Sequence, residues 1–232
     1  MNVDLLELAA ATLDDLTEEV VFVGAATLAL WLTDPAARPP EVTLDIDVVI
    51  EVTARPAMHR FEERLRSRGF APDSDSDLIC RWKHQSTDLS LDVMPTDERV
   101  LGFASYWQKE AFPRAVPRQL RSGRTVNCAS PPYMLAMKLE AFGDRGNNDF
   151  LGAKDFADIV TLIDGREEIL QEVDRADERL KTFVANEISE MVKRRRDRFL
   201  TGLHGAVLPD AASQQRVELV LLPRFEMLAS MA

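Results

Sequence analysis

The segment spanning residues 43–49 limits the fold of this chain more than any other stretch. Its sequence, Thr-Leu-Asp-Ile-Asp-Val-Val, alternates apolar and acidic residues. Successive side chains of a β-strand point to opposite faces of a sheet. The pattern therefore predicts a strand within residues 42–52 that turns Asp45 and Asp47 to one face and its apolar residues, Leu44 included, to the other.

A second strand, predicted within residues 88–94, repeats this alternation. Its apolar residues share one face, and Asp88 and Asp92 share the other. A polar turn separates it from an apolar run at residues 78–84, which predicts a hairpin. If the second strand lies beside residues 42–52, Asp92 joins the two carboxylates there.

Two interpretations of these carboxylates are open. Neighbouring carboxylates repel each other, and a bound divalent cation would offset the repulsion; oxygen-only ligands suit Mg²⁺ or Mn²⁺. Alternatively, the aspartates lie on the solvated face of a half-covered sheet. For Asp88 we favour the solvated interpretation, whereas Asp45, Asp47 and Asp92 are candidate metal ligands.

A glycine turn lies upstream of the acidic strand. Residues 20–23 form a short apolar run, Gly24 interrupts it, and residues 25–32 are predicted to be helical. Small residues let the backbone approach a phosphate, and a helix N-terminus offers amide donors to it. Gly24, Ala25 and Ala26 are therefore candidate nucleotide-binding residues.

The two halves of the chain differ in pattern. Up to about residue 125, helices alternate with strands, whereas the remainder is predicted to be helical. We therefore predict an α/β (α+β) fold, a mixed sheet with flanking helices followed by a C-terminal helical bundle. The predicted domains are residues 1–125 and residues 126–232. The helices expected in the second domain cover residues 132–142, 154–163, 167–200 and 214–222.

Composition excludes several classes of protein. The chain has 232 residues and a net charge of −11, which argues against a general nucleic-acid-coating protein. Two cysteines are too few for a disulfide framework or a structural zinc site. The longest uncharged apolar stretch, residues 20–32, is too short to span a bilayer. We expect a cytoplasmic protein.

The strand motifs resemble those of the DNA polymerase β superfamily of nucleotidyltransferases. The matching residues are Gly24 in its turn, Asp45 and Asp47 in an Asp-x-Asp strand, and Asp92 in a later strand. The resemblance implies the nucleotidyltransferase fold, nucleoside triphosphate as substrate, and Mg²⁺ or Mn²⁺ as cofactor held by the three aspartates.

The second half resembles the AbiEii-type nucleotidyltransferase toxins, which include the MenT-like toxins of toxin–antitoxin systems. A helix bearing Lys138 is followed by Arg145 and by a Lys-Asp-x-x-Asp motif. The resemblance implies transfer RNA as acceptor and a cognate antitoxin as partner. It also implies catalytic roles for Lys154 and Asp155 and nucleotide binding by Lys138, Lys154 and Asp158.

Other functions stay open. The turn reads Gly-Ala-Ala, where the superfamily usually has a second glycine or a serine, and Thr27 is the nearest hydroxyl residue. This departure is compatible with a catalytically degenerate, nucleotide-binding regulatory protein. The acidic composition also leaves open a small-molecule acceptor, such as an antibiotic. On residues alone, the surface interpretation is favoured for the Lys-Asp-x-x-Asp motif, because such charge pairs mostly lie on solvated helix faces.

Basic residues concentrate in two places. Either group could contact an RNA backbone, although such groups more often form solvated faces or pair with acidic side chains. The first comprises Lys109, Arg114, Arg118, Arg121 and Arg124, and the second comprises residues 193–196 with Arg198.

Overall fold

The computed structural model describes residues 2–146 and 149–231. Its contacts divide the chain into two compact units. The first comprises Met1–Leu30 and Glu41–Ser130, and the second comprises Trp31–Pro40 and Pro131–Ala232. Residues 31–40 thus belong to the helical unit, although the sequence pattern places them within the first half.

The first unit is built on a seven-stranded mixed sheet in its described residues, with the order β3-β4-β5-β2-β1-β7-β6. The pairs β2–β5 and β1–β7 are parallel, and the other neighbours are antiparallel. The strands are β1 (Val20–Val23), β2 (Asp45–Ile50), β3 (Phe70–Pro72), β4 (Arg81–His84), β5 (Ser90–Pro95), β6 (Val116–Gln119) and β7 (Thr125–Cys128).

Helices flank this sheet. In α3, Met58, Phe61 and Leu65 recur at helical spacing and are buried, so an apolar stripe faces the core. The helices of the first unit are α1 (Asn2–Leu13), α2 (Ala25–Leu28), α3 (Arg55–Ser67), α4 (Glu98–Leu101) and α5 (Tyr106–Ala111), with short 3₁₀ turns at Asp14–Glu18 and Phe112–Arg114.

The helix predicted at residues 25–32 ends early, at Leu28. The residues that follow, 31–40, are part of the second unit. There, the amides of Thr33 and Asp34 both donate to the carbonyl of Gly165, at 2.8 and 3.0 Å. These long-range bonds are invisible to local periodicity. The strand predicted at residues 42–52 is likewise shorter, and Leu44, expected on the apolar face, precedes β2 and is 81% exposed.

The second unit is helical, as predicted, but the helix expected over residues 167–200 is interrupted. Its first segment ends at Asp174. The carboxylate of Asp177 then accepts the amide of Leu180 at 3.0 Å and caps the start of a new helix. The helices are α6 (Pro131–Arg145), α7 (Lys154–Gly165), α8 (Ile169–Asp174), α9 (Glu178–Ser189), α10 (Arg196–Ala206), α11 (Ala211–Arg216) and α12 (Leu222–Ala229), with π-helical turns at Glu190–Arg194 and Val217–Leu221.

Aromatic rings fill the core of the second unit. Phe150 and Phe156 meet edge to face with ring centroids 5.0 Å apart, and Phe199 packs similarly on Phe225 at 5.1 Å. Among the described residues, no helix combines the length and apolarity needed to cross a membrane. The predicted architecture, a mixed α/β sheet with flanking helices followed by a helical part, is confirmed.

Candidate active site

The three candidate aspartates lie on one face of two adjacent strands. Strands β2 and β5 run parallel with Asp47 in register with Asp92, and Asp45 lies two residues before Asp47 on the same face. On the other face, Ile46 and Leu91 are fully buried. The core therefore anchors both strands and fixes the aspartates side by side. Asp92 is the most enclosed of the three, at 6% exposed.

The positively charged side chain of Arg81 lies among these carboxylates. Arg81 on β4 is in register with Asp92. Its Nε and Nη2 donate to the two oxygens of Asp92 at 2.8 and 2.7 Å, and Nη2 also donates to Asp45 Oδ2 at 2.7 Å. The hydrogen bond to Asp92, followed by the charges of both carboxylates, raises the pKa of Arg81 further above its ordinary value, against the opposing effect of burial.

The side chain of Asp45 is held at both oxygens. Thr43 Oγ1 donates to Asp45 Oδ1 at 2.6 Å, while Arg81 binds Oδ2. Sequence analysis did not single out Arg81. The predicted hairpin could in principle have identified it, because pairing of the two strands places one residue of the first strand opposite Asp92. That residue cannot be chosen from the sequence, however, because the pairing register depends on which residues form the turn.

The glycine turn contacts the acidic strand directly. Gly24 has φ +74° and ψ −176°, a conformation that is essentially limited to glycine. A Cβ atom at this position would lie 2.8 Å from Asp47 Cγ and closer still to its carboxylate oxygen. Gly24 is thus required both by its backbone angles and by the space that Asp47 occupies.

The rest of the turn offers little beyond backbone groups. Ala26 is buried and Ala25 is half-buried. Thr27 is also buried, and its hydroxyl donates to the carbonyl of Gly24 at 2.9 Å. This hydrogen bond stabilises the turn itself. Phosphate binding by Gly24, Ala25 and Ala26 stays a prediction.

The donor set suits a hard divalent cation, since Asp45, Asp47 and Asp92 supply only carboxylate oxygens from one sheet face. As the side chains are placed, however, no group of three or more His, Cys, Asp or Glu residues in the described parts of the chain is arranged to hold a metal ion. Two of the carboxylates are directed to Arg81 instead. The residues fit the metal chemically, and a cation bound to Asp45 and Asp92 would meet the guanidinium of Arg81.

The second unit contains its own buried ionic cluster. Lys138 Nζ lies 2.6 Å from Asp158 Oδ2 and 3.2 Å from Asp155 Oδ1. Arg145 Nε donates to Asp155 Oδ2 at 2.9 Å. Burial alone would raise the pKa of Asp155, but the hydrogen bond from Arg145 and the charge of Lys138 outweigh it and hold the pKa below its usual value.

The Lys-Asp-x-x-Asp motif is therefore divided between two environments. Asp155 and Asp158 face inward and contact Lys138 on the neighbouring helix α6. Lys154, the first residue of α7, is exposed. Asp158, which the resemblance implies as a nucleotide-binding residue, is a close partner of Lys138.

The first basic group engages acidic partners and backbone within the first unit. Arg121 pairs with Asp4 at 3.1 Å, and Arg124 pairs with Asp14 at 3.4 Å. Arg118 donates to the carbonyl of Leu30. In the second group, Arg194 pairs with Glu190 and Arg196 with Glu226. RNA contact by either group stays a prediction.

Comparison with known proteins assigns no family to the chain. No family model matches, and no curated protein matches its sequence. Among solved structures, it is similar to the crystal structure of a "putative nucleotidyltransferase from H. pylori", with a TM-score of 0.46 and 14% sequence identity over 98% of this chain and 91% of that one. A similarity of this degree assigns no activity.

Proposed function

We propose that the chain is a nucleotidyltransferase that transfers a nucleotide from a nucleoside triphosphate to a hydroxyl acceptor. The observation that carries this proposal is the placement of Asp45, Asp47 and Asp92 on one face of adjacent parallel strands, with Gly24 packed against Asp47. An oxygen-only carboxylate group beside a glycine turn is what a metal–triphosphate substrate requires.

In the proposed reaction, the acceptor hydroxyl oxygen forms a bond to the α-phosphorus while the bond from that phosphorus to the pyrophosphate oxygen breaks. The hydroxyl proton passes to Asp92, the most enclosed of the three carboxylates, and pyrophosphate leaves. Asp45, Asp47 and Asp92 would hold Mg²⁺ or Mn²⁺, which supplies charge stabilisation to the phosphoryl group.

The finer parts of the proposal come from the sequence resemblance. We propose transfer RNA as the acceptor and a toxin role opposed by a cognate antitoxin. For the second unit, we propose that Lys138 and Lys154 bind phosphate and that Asp155 and Asp158 orient Lys138. The short distances from Lys138 to both aspartates support the orienting role.

The direct test is a transfer assay with Mg²⁺, each labelled nucleoside triphosphate in turn, and total RNA. The test variant is Asp45→Asn/Asp47→Asn. Its matched control is Asp75→Asn/Asp77→Asn, which removes two exposed carboxylates at the same spacing elsewhere in the first unit. We expect label in a transfer-RNA-sized band with the wild type and the control, and its loss in the test variant.

Two other results of this assay would each favour a different function. Absence of RNA labelling from a folded wild type would reject the RNA acceptor, and small hydroxyl compounds would then be assayed as acceptors. The ion pairs of Arg81 favour one further candidate, a nucleotide-binding protein without transfer activity, because they occupy two of the three carboxylates. Metal-dependent binding of triphosphate without release of pyrophosphate would identify it.

A further inference from the structure

Arg81 occupies the oxygens that a divalent cation would need. Both oxygens of Asp92 accept hydrogen bonds from its guanidinium, and so does Oδ2 of Asp45. The other oxygen of Asp45 accepts the hydroxyl of Thr43. All four oxygens of these two residues therefore already accept a hydrogen bond from the protein, and a metal ion bound to them would lie beside these donors.

The guanidinium and a metal ion exclude each other on electrostatic grounds. Arginine stays protonated at any pH at which proteins are folded, so it contributes a full positive charge to this face of the sheet. A divalent cation bound to the same oxygens would lie next to that charge in a partly buried site, where screening by water is weak. The Arg81 side chain is 23% exposed, so it can move into solvent and away from the carboxylates.

We propose that Arg81 is an internal counter-ion that competes with the divalent cation and sets the metal affinity of the site. This inference rests on the proposed function. With the guanidinium in place, its single positive charge offsets part of the repulsion between the carboxylates, and the sheet face is stable without metal. Metal binds only to the fraction of molecules in which Arg81 has withdrawn, so the apparent affinity is reduced by that fraction.

The test measures Mn²⁺ binding to the full chain without nucleotide, by the loss of the free-ion electron paramagnetic resonance signal. We expect Arg81→Gln to bind Mn²⁺ at least about ten-fold more tightly than the wild type does. Without metal, the same variant should unfold at a lower temperature, because three carboxylates then repel each other, and Mn²⁺ should raise its unfolding temperature by more than it raises that of the wild type.

A matched control is Arg68→Gln. Arg68 also bridges two aspartates of the first unit, Asp14 and Asp15, on a different part of the surface. Its removal should leave Mn²⁺ affinity unchanged. Adding Asp47→Asn to Arg81→Gln should abolish the gained affinity, which locates the ion at the sheet face.

Unchanged or weaker Mn²⁺ binding by Arg81→Gln would overturn the inference, as would tight binding that survives Asp47→Asn. If Arg81→Gln does not fold, Arg81→Met decides, because methionine removes the competing charge and keeps a flexible, unbranched side chain. Its Mn²⁺ affinity should exceed that of the wild type, and an unchanged affinity would overturn the inference. Failure of the proposed function is a separate result, namely a wild type that transfers nucleotide from none of the four triphosphates.

Discussion

The Cα atom of Gly24 faces the carboxylate of Asp47 so closely that a Cβ atom there would lie 2.8 Å from Asp47 Cγ. Gly24 follows β1, whose last residue, Val23, is in register with Asp47 on the antiparallel strand β2. The glycine turn and the acidic strand thus form one contact surface. Any side chain at position 24 must displace a candidate metal ligand.

Gly24→Ala should therefore lose transfer activity and weaken Mn²⁺ binding. Both Gly24 and Gly102 have positive φ, so alanine at either position should lower the free energy of unfolding by about 1–3 kcal/mol. Nothing lies within 4 Å of a Cβ atom at Gly102. Gly102→Ala therefore introduces backbone strain at a positive φ but no steric clash of the kind that Gly24→Ala has with Asp47. Activity and Mn²⁺ titrations of both variants would check this, and equal losses in the two would contradict it.

Lys138→Met should destabilise the second unit strongly. Lys138 pairs with Asp155 and Asp158, which are both buried, and removing one partner of a buried ionic group costs about 3 kcal/mol. Lys154→Met, the same substitution at an exposed position, should change the free energy of unfolding by about 0.5 kcal/mol or less. Urea unfolding of both variants measures the difference.

The effect of Lys138→Met should also depend on pH. Because the pKa of Asp155 is held below its usual value, its contribution to stability is present at neutral pH and is lost as the pH falls through that lowered pKa. The gap between the variant and the wild type should therefore shrink in acid. A gap that stays constant from neutral to acidic pH would contradict the ionic explanation.

Arg216→Gln should loosen residues 31–40. Arg216 donates to Asp34 Oδ2 at 2.5 Å and to Asp164 Oδ1 at 2.6 Å, and it therefore ties the segment to the helical unit. We expect a loss of about 3 kcal/mol, since Asp164 is buried and would lose this charged partner. Amide hydrogen exchange at Thr33 should accelerate. Arg194→Gln, which breaks an exposed ion pair, should leave both observables almost unchanged.

Glu187→Gln should stabilise the protein slightly at about pH 7. Burial, together with the charges of Glu190 and Asp144, raises the pKa of Glu187. The ionised form therefore costs stability above the ordinary carboxyl pKa of 4.5, and the cost disappears as the pH falls below that value. Thermal unfolding should show a gain on the order of 0.5 kcal/mol at neutral pH and none in acid. A gain that is independent of pH would reject this cause.

Much of the fold followed from local patterns. The alternation around Asp45 and Asp47 predicted a strand with one buried face, and Ile46 and Val48 are indeed fully buried. The helical spacing in residues 132–142 and 154–163 predicted α6 and α7. These predictions succeed because the side-chain period of a strand or helix is set by backbone geometry alone. Helix ends were less accurate, as the cap at Asp177 shows.

The amino-acid sequence by itself determined the acidic strands, the glycine turn between strand and helix, and the division into an α/β part and a helical part. Only the tertiary structure decided that Arg81 lies among the carboxylates, that Gly24 packs on Asp47, and that residues 31–40 join the helical unit. These features depend on strand register and on contacts between residues far apart in the chain. Local propensity carries no information about such contacts, because it acts over a few residues only.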